Sequence, residues 1–121
     1  VEYAHARICS LLRNLHEDGI EVPAMEQVDM GLLAGETEAA LIKQLSQYCE
    51  EVRLAARDYD PSHINRYLQE LAGCFHRFYT ACRIRGEEPA VAAARLKLAD
   101  CTRTVLRNGL KLIGVDAPER M

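Results

Sequence analysis

The stretch DPSHINRYLQELAGCFHRFYTAC, residues 60–82, decides the fold. Asp60 offers a side-chain acceptor to the free N–H groups of a helix start, and Pro61 follows at a first helical position, where a missing N–H costs nothing. From there Ile64, Leu68, Leu71, Phe75, Phe78 and Cys82 recur at alternating four- and three-residue steps. Such a stripe buries one side of a helix against a core. The same period extends in both directions. Upstream, Tyr3, Ile8, Leu11, Leu12 and Leu15 share one side of a first helix, which Gly19 and Pro23 end. Residues 19–35 then read as a connector with a short helical turn near Val28–Leu33. A second helical region runs from Glu36 to about Asp58, with Leu41, Ile42, Leu45, Val52 and Ala56 toward the core. Its irregular spacing at Gln47–Cys49 predicts a break. Downstream, Gly86-Glu87-Glu88-Pro89 interrupts the chain. A last helix follows from about Ala90 to Ile113, with Val91, Ala94, Leu98, Cys101, Val105 and Leu112 inward. Gly114 stands where a helix C′ residue belongs, and Ala117-Pro118 prevents resumption. No strand pair is apparent. The expectation is one all-α domain over residues 1–121, a helical bundle of four to five helices.

Composition narrows the class. A length of 121 residues suits one hydrophobic core, and 49% hydrophobic with 27% charged residues is ordinary globular usage rather than disordered or fibrous. No apolar run reaches the roughly 18–20 residues of a membrane span. Glu2 and Arg7 lie inside a periodic pattern that does not fit a signal peptide. The net charge of −3 speaks against a polyanionic partner only as a total. Residues 1–60 carry five Lys/Arg against twelve Asp/Glu, a balance of −7, and residues 61–121 carry ten against six, a balance of +4. Local fields, not totals, attract phosphate. The segment from Glu17 to Glu38 has seven acids and no base, so it is expected to stay clear of nucleic acid.

Catalytic and metal chemistry find little support. Cys9, Cys49, Cys74, Cys82 and Cys101 are odd in number and lack CxxC spacing, so they read as reduced thiols in a cytosolic protein. His5, His16, His63 and His76 form neither HExxH nor His-x3-His spacing. Ser10, Ser46 and Ser62 lie outside any GxSxG elbow, and no glycine cluster resembles a phosphate-binding loop. The chain by itself does not read as an enzyme.

Two features read as binding chemistry. Arg103, Arg107 and Lys111 recur every four residues on the last helix, away from the stripe of Leu98, Val105 and Leu112, with Arg95 near its start. A helical turn advances about 5.4 Å, a step that can follow successive phosphates. A solvated face with Asp100 paired to Arg103 accounts for the same spacing. On the middle helix, Tyr67, Phe75, Phe78 and Tyr79 interleave with Arg66, Arg77 and Arg83. Tyr79 steps off the apolar stripe by one residue, where its ring can stack on an unpaired base or lie at the core's edge.

These residues fall in a wider pattern. Tyr3-Ala4-His5-Ala6-Arg7-Ile8, then Arg95-Leu96-x-Leu98, then Val105-Leu106-x-Asn108-Gly109-Leu110-x-Leu112-Ile113-Gly114 and the ending Ala117-Pro118-Glu119-Arg120-Met121, closely resemble the C-terminal region of the arginyl-tRNA synthetases. The segments Tyr67–Ala72 and Phe75–Tyr79 fit the same family, and Asp100-x-x-Arg103 is similar to its DALR signature. The resemblance implies the helical anticodon-binding domain of a class I synthetase, holding the anticodon stem-loop of tRNA(Arg). It further implies an upstream catalytic domain in a longer chain, using ATP and Mg, and a cytoplasmic setting without a membrane partner. By the same resemblance, Tyr79 and Met121 map to the anticodon-facing surface, and Tyr3 and Arg7 to the start of the first helix, where the catalytic and anticodon domains meet. Arg77, Arg103, Arg107 and Lys111 are RNA candidates by charge placement. The alternative is a helical protein–protein or domain-docking module without RNA contact.

Overall fold

The computed structural model describes residues 1–82, 84 and 87–120; Arg83, Gly86 and Met121, all named above, lie outside them. Five α-helices make up the described chain: α1 (Glu2–Glu17), α2 (Glu36–Ser46), α3 (Tyr48–Asp58), α4 (Ser62–Ala81) and α5 (Pro89–Leu112). Two single turns of 3₁₀ helix, Met25–Gln27 and Met30–Leu32, interrupt the connector. The expected all-α bundle is the observed one, and its α2/α3 break falls at Gln47.

Helix α4 is the axis, packing against each of the other four. Its start lies one residue later than the sequence suggests: Pro61 is the N-cap and Ser62 the first helical residue, with the Asp60 carboxylate accepting from Ser62 N at 3.0 Å. The predicted stripe is buried at Ile64, Leu68, Leu71, Phe75 and Phe78. Tyr67 belongs to the same core, and its hydroxyl donates to the Gln44 carbonyl, tying α4 to α2. Tyr67 is thus no surface aromatic.

Three assignments of face need correction. Tyr3 is 57% exposed, because the inner side of α1 is Ala4, His5, Ala6, Ile8, Cys9 and Leu15. Ala55 rather than Ala56 is the buried alanine of α3. On α5 the inward residues are Ala94, Leu96, Leu98, Ala99, Thr102, Leu106, Gly109 and Leu110, leaving Val105 at the margin and Leu112 exposed. The wider stripe centres on Thr102, whose hydroxyl donates to the Leu98 carbonyl at 2.9 Å and so needs no partner outside the helix. A small residue also sets the phase of α5. A Cβ at Gly109 would stand 2.5 Å from Leu68 Cδ2, so α5 approaches α4 closely at this glycine.

The end of α5 turns the chain back. Gly114 has a φ of +77°. Gly114 N donates to Lys111 O at 3.1 Å and Val115 N to Leu110 O at 2.9 Å, the two bonds of a Schellman cap. Val115 and Ala117 then pack against the core, which carries the tail across to α1. At the other end, Glu38 is buried and binds both Gly35 N and Arg95 Nε at 3.2 Å, fastening the acidic connector to α5.

Candidate nucleic-acid interface

Residues spaced by three or four on a helix share a face. Tyr3 and Arg7 of α1 therefore stand together, as do His76 and Tyr79 of α4, and the contact between the two helices joins the pairs. The Arg7 guanidinium carbon sits 4.2 Å from the centroid of the Tyr79 ring, well inside cation–π range. Beside it, the Tyr3 and His76 rings lie 6.1 Å apart at 32°. Phe75 supports both from below, its centroid 5.9 Å from Tyr79 and 6.1 Å from His76. Phe75 is fully buried, so the aromatic set rests on the core. A shallow cavity of about 240 Å³ opens alongside, lined by Tyr3, Ala6, Arg7 and Ser10.

The chemistry of this face is planar. One side of the half-buried Tyr79 ring is taken by Arg7, so the pair presents a guanidinium plane backed by a phenol, next to the exposed phenol of Tyr3. Guanidinium and aromatic planes are what unstacked RNA bases stack on. His76 adds a neutral plane: burial first, and the Arg7 charge second, hold its pKa below the usual imidazole value. Sequence reasoning placed Tyr3, Arg7 and Tyr79 among the candidates but missed His76. Its three-residue spacing from Tyr79 was the available signal.

The other candidates do not join this face. Arg77 is exposed, with Nη2 3.4 Å from Cys74 Sγ, and lines a separate groove of about 490 Å³ with Arg66, Gln69 and Glu70. Two residues along a helix turn by about 200°, which takes Arg77 away from Tyr79. Arg103 is half-buried and bound to Asp100, with Nη2 to Oδ1 at 2.8 Å, as the pairing alternative anticipated. It lines a cleft of about 320 Å³ with Cys9, Arg13 and Glu119. Arg107 and Lys111 are exposed in the last turns of α5.

The C-terminal segment is held on another flank of α1. The buried His5 donates from Nδ1 to the Pro118 carbonyl at 2.7 Å, across 113 positions of sequence. Arg13 Nη1 donates to the Glu119 carbonyl at 3.2 Å, and its Nη2 to Ser10 Oγ at 3.0 Å. The two segments that carried the sequence resemblance, Tyr3–Ile8 and the residues after Ala117, are therefore in contact.

Among the described residues, no three His, Cys, Asp or Glu side chains converge as a metal site would require. The five cysteines are free thiols, and burial pushes Cys9 and Cys101 up, away from a reactive thiolate. No described helix is long and apolar enough to cross a membrane.

Comparison with known proteins shows the family. The family model of the DALR anticodon binding domain matches residues 1–121. An arginine–tRNA ligase of Symbiobacterium thermophilum is 52% identical over 121 residues, all of this chain and 22% of the relative. One from Ruminiclostridium cellulolyticum is 49% identical over the same span, again 22% of its length. Among solved structures, the arginyl-tRNA synthetase of Thermus thermophilus superposes with a TM-score of 0.84 at 31% identity, over 99% of this chain and 20% of that one. The chain thus spans about a fifth of the length of the proteins it resembles.

Proposed function

Because the chain belongs to the family of DALR anticodon-binding domains, we propose that it recognises the anticodon stem-loop of tRNA(Arg). In this reading it is the C-terminal domain of a cytoplasmic arginine–tRNA ligase. The observation that carries the reading is the Arg7–Tyr79 stack beside Tyr3 and His76. It offers several base-sized planes on one rigid face, in a family whose members bind anticodons.

Bases splayed from the anticodon loop stack on this face, and their edges are read by polar groups of the tail ending in Met121. The charges of Arg77, Arg103, Arg107 and Lys111 act on phosphate, positioning the RNA without reading its sequence. Activation of arginine and its transfer to tRNA belong to a catalytic domain upstream, which uses ATP and Mg. The described residues hold no cluster of three His, Cys, Asp or Glu side chains, and the sequence has no glycine-rich loop. In this reading the chain itself performs no chemical step. Its contribution is to let only the right anticodon hold the tRNA in register for a distant site.

Replacing Tyr79 with Ala tests the reading directly. Loss of the plane that backs Arg7 is expected to weaken binding of the tRNA(Arg) anticodon stem-loop by about 1–3 kcal/mol, the scale of base–aromatic stacking. Unchanged affinity in a folded Tyr79→Ala chain removes the stack from the site. No saturable RNA binding by the unaltered chain leaves domain docking as its role.

A further inference from the structure

We propose that His5 and Arg13 are positioning residues, a two-point clamp that fixes the C-terminal tail on the flank of α1 that Arg13 and Ser10 join to the aromatic face. The proposal rests on the anticodon-binding reading and extends it to residues that touch no RNA themselves. Both bonds go from α1 side chains to tail carbonyls, His5 Nδ1 to Pro118 O at 2.7 Å and Arg13 Nη1 to Glu119 O at 3.2 Å. Carbonyl acceptors fix the tail's path whatever its side chains are. They also require the proton on His5 Nδ1, since a carbonyl only accepts.

The clamp is built rather than incidental. His5 is 2% exposed, and the Cys9 thiol packs against its ring, 3.8 Å from Nδ1 and 4.0 Å from Nε2. The Schellman cap at Gly114 has already reversed the chain toward α1, and Val115 and Ala117 are packed against the core before Pro118 arrives. Arg13 bonds in two directions, to Glu119 O and to Ser10 Oγ. Ser10 in turn lines the cavity formed with Tyr3 and Arg7. A continuous path therefore links the tail to the aromatic face through Arg13 and Ser10. An unclamped tail spends ordering entropy when RNA binds, whereas a fixed one has spent it in folding.

The test is a double-variant cycle on binding of the tRNA(Arg) anticodon stem-loop, run with 15N relaxation of residues 116–120. His5→Leu and Arg13→Met are each expected to loosen the tail and to weaken binding about three- to tenfold, the worth of one hydrogen bond. His5→Asn, which keeps a donor at the Nδ1 position, should recover most of the loss. In a chain ending at Ala117, neither substitution should weaken binding further. A direct effect of the Arg13 charge on phosphate would persist in that shortened chain, and this outcome overturns the proposal for Arg13. If His5→Leu does not fold, Arg13→Met alone decides, because Arg13 is only half-buried. A loosened tail with unchanged affinity overturns the positioning role. An unaltered chain that binds no stem-loop overturns the anticodon reading instead, while the relaxation data still judge the clamp.

Discussion

The face shared by α1 and α4 and the basic row of α5 differ in what holds them. On the first, Tyr3, Arg7, His76 and Tyr79 come from the two helices, some seventy positions apart in sequence, and meet through the packing of those helices. On the second, Arg103, Arg107 and Lys111 owe their spacing to one helix, and only Arg103 reaches another, beside Cys9 of α1. Arg103 is largely spent on Asp100, and Arg107 and Lys111 project into water. The first region depends on distances of a few ångströms and the second on a field. A stacking platform loses its use when its geometry slips, whereas a charge row tolerates movement within a Debye length, about 8–10 Å at ordinary salt. On the proposed reading, discrimination between bases belongs to the first and sequence-blind attraction to the second.

The strongest way to break this contrast is at Phe75. It is fully buried and touches the rings of His76, Phe78 and Tyr79. Phe75→Ala should cost about 3–5 kcal/mol of stability by opening a cavity in the core. Where the variant remains folded, stem-loop affinity should fall and most of the preference for the correct anticodon should go. Urea unfolding measures the first, and titration with matched and mismatched stem-loops the second. A folded variant that keeps full discrimination separates base reading from this face.

How much of this was legible beforehand follows the same division. The α4 stripe and the Asp60-Pro61 start were readable because period and capping are local properties. The inward side of α5 differs from the periodicity by a fraction of a turn, since Leu112 fits the period but is 55% exposed. Gly109 and Thr102 face the core there, and neither registers as hydrophobic in a periodicity count. The Arg7–Tyr79 contact was invisible for another reason. The residues appeared as separate candidates, and only the packing of α1 on α4 brings a cation to that ring. The His5–Pro118 bond was equally hidden, although both ends lay in segments that had been singled out.

A milder perturbation of the aromatic face is acid. Burial and the neighbouring Arg7 charge hold the His76 pKa below its ordinary value of 6.5, so the unfolded chain takes up this proton more readily than the folded one. The sign follows from linkage. The contribution to stability is full above pH 6.5 and declines as pH falls from there through the lower folded value. Urea midpoints measured from about pH 7 down to about pH 5 should decline, and His76→Gln should flatten that part of the profile. An identical decline in His76→Gln assigns the acid sensitivity to other groups.

The smallest effects are expected on the basic row, and their kind matters more than their size. Arg107→Ala and Lys111→Ala remove exposed charges, so stability should stay within about 0.5 kcal/mol of the unaltered chain. If these side chains meet phosphate, each loss should reduce the slope of log affinity against log salt by about one, equally for matched and mismatched stem-loops. Tyr79→Ala should do the reverse, leaving the slope alone and eroding the difference between stem-loops. Arg103→Ala separates the two behaviours within one row, because its charge is already engaged by Asp100 and should contribute less to the slope than Arg107. A slope indifferent to Arg107 and Lys111 makes the row an ordinary solvated surface, and the attraction for RNA must then come from Arg7 and the groove at Arg66 and Arg77.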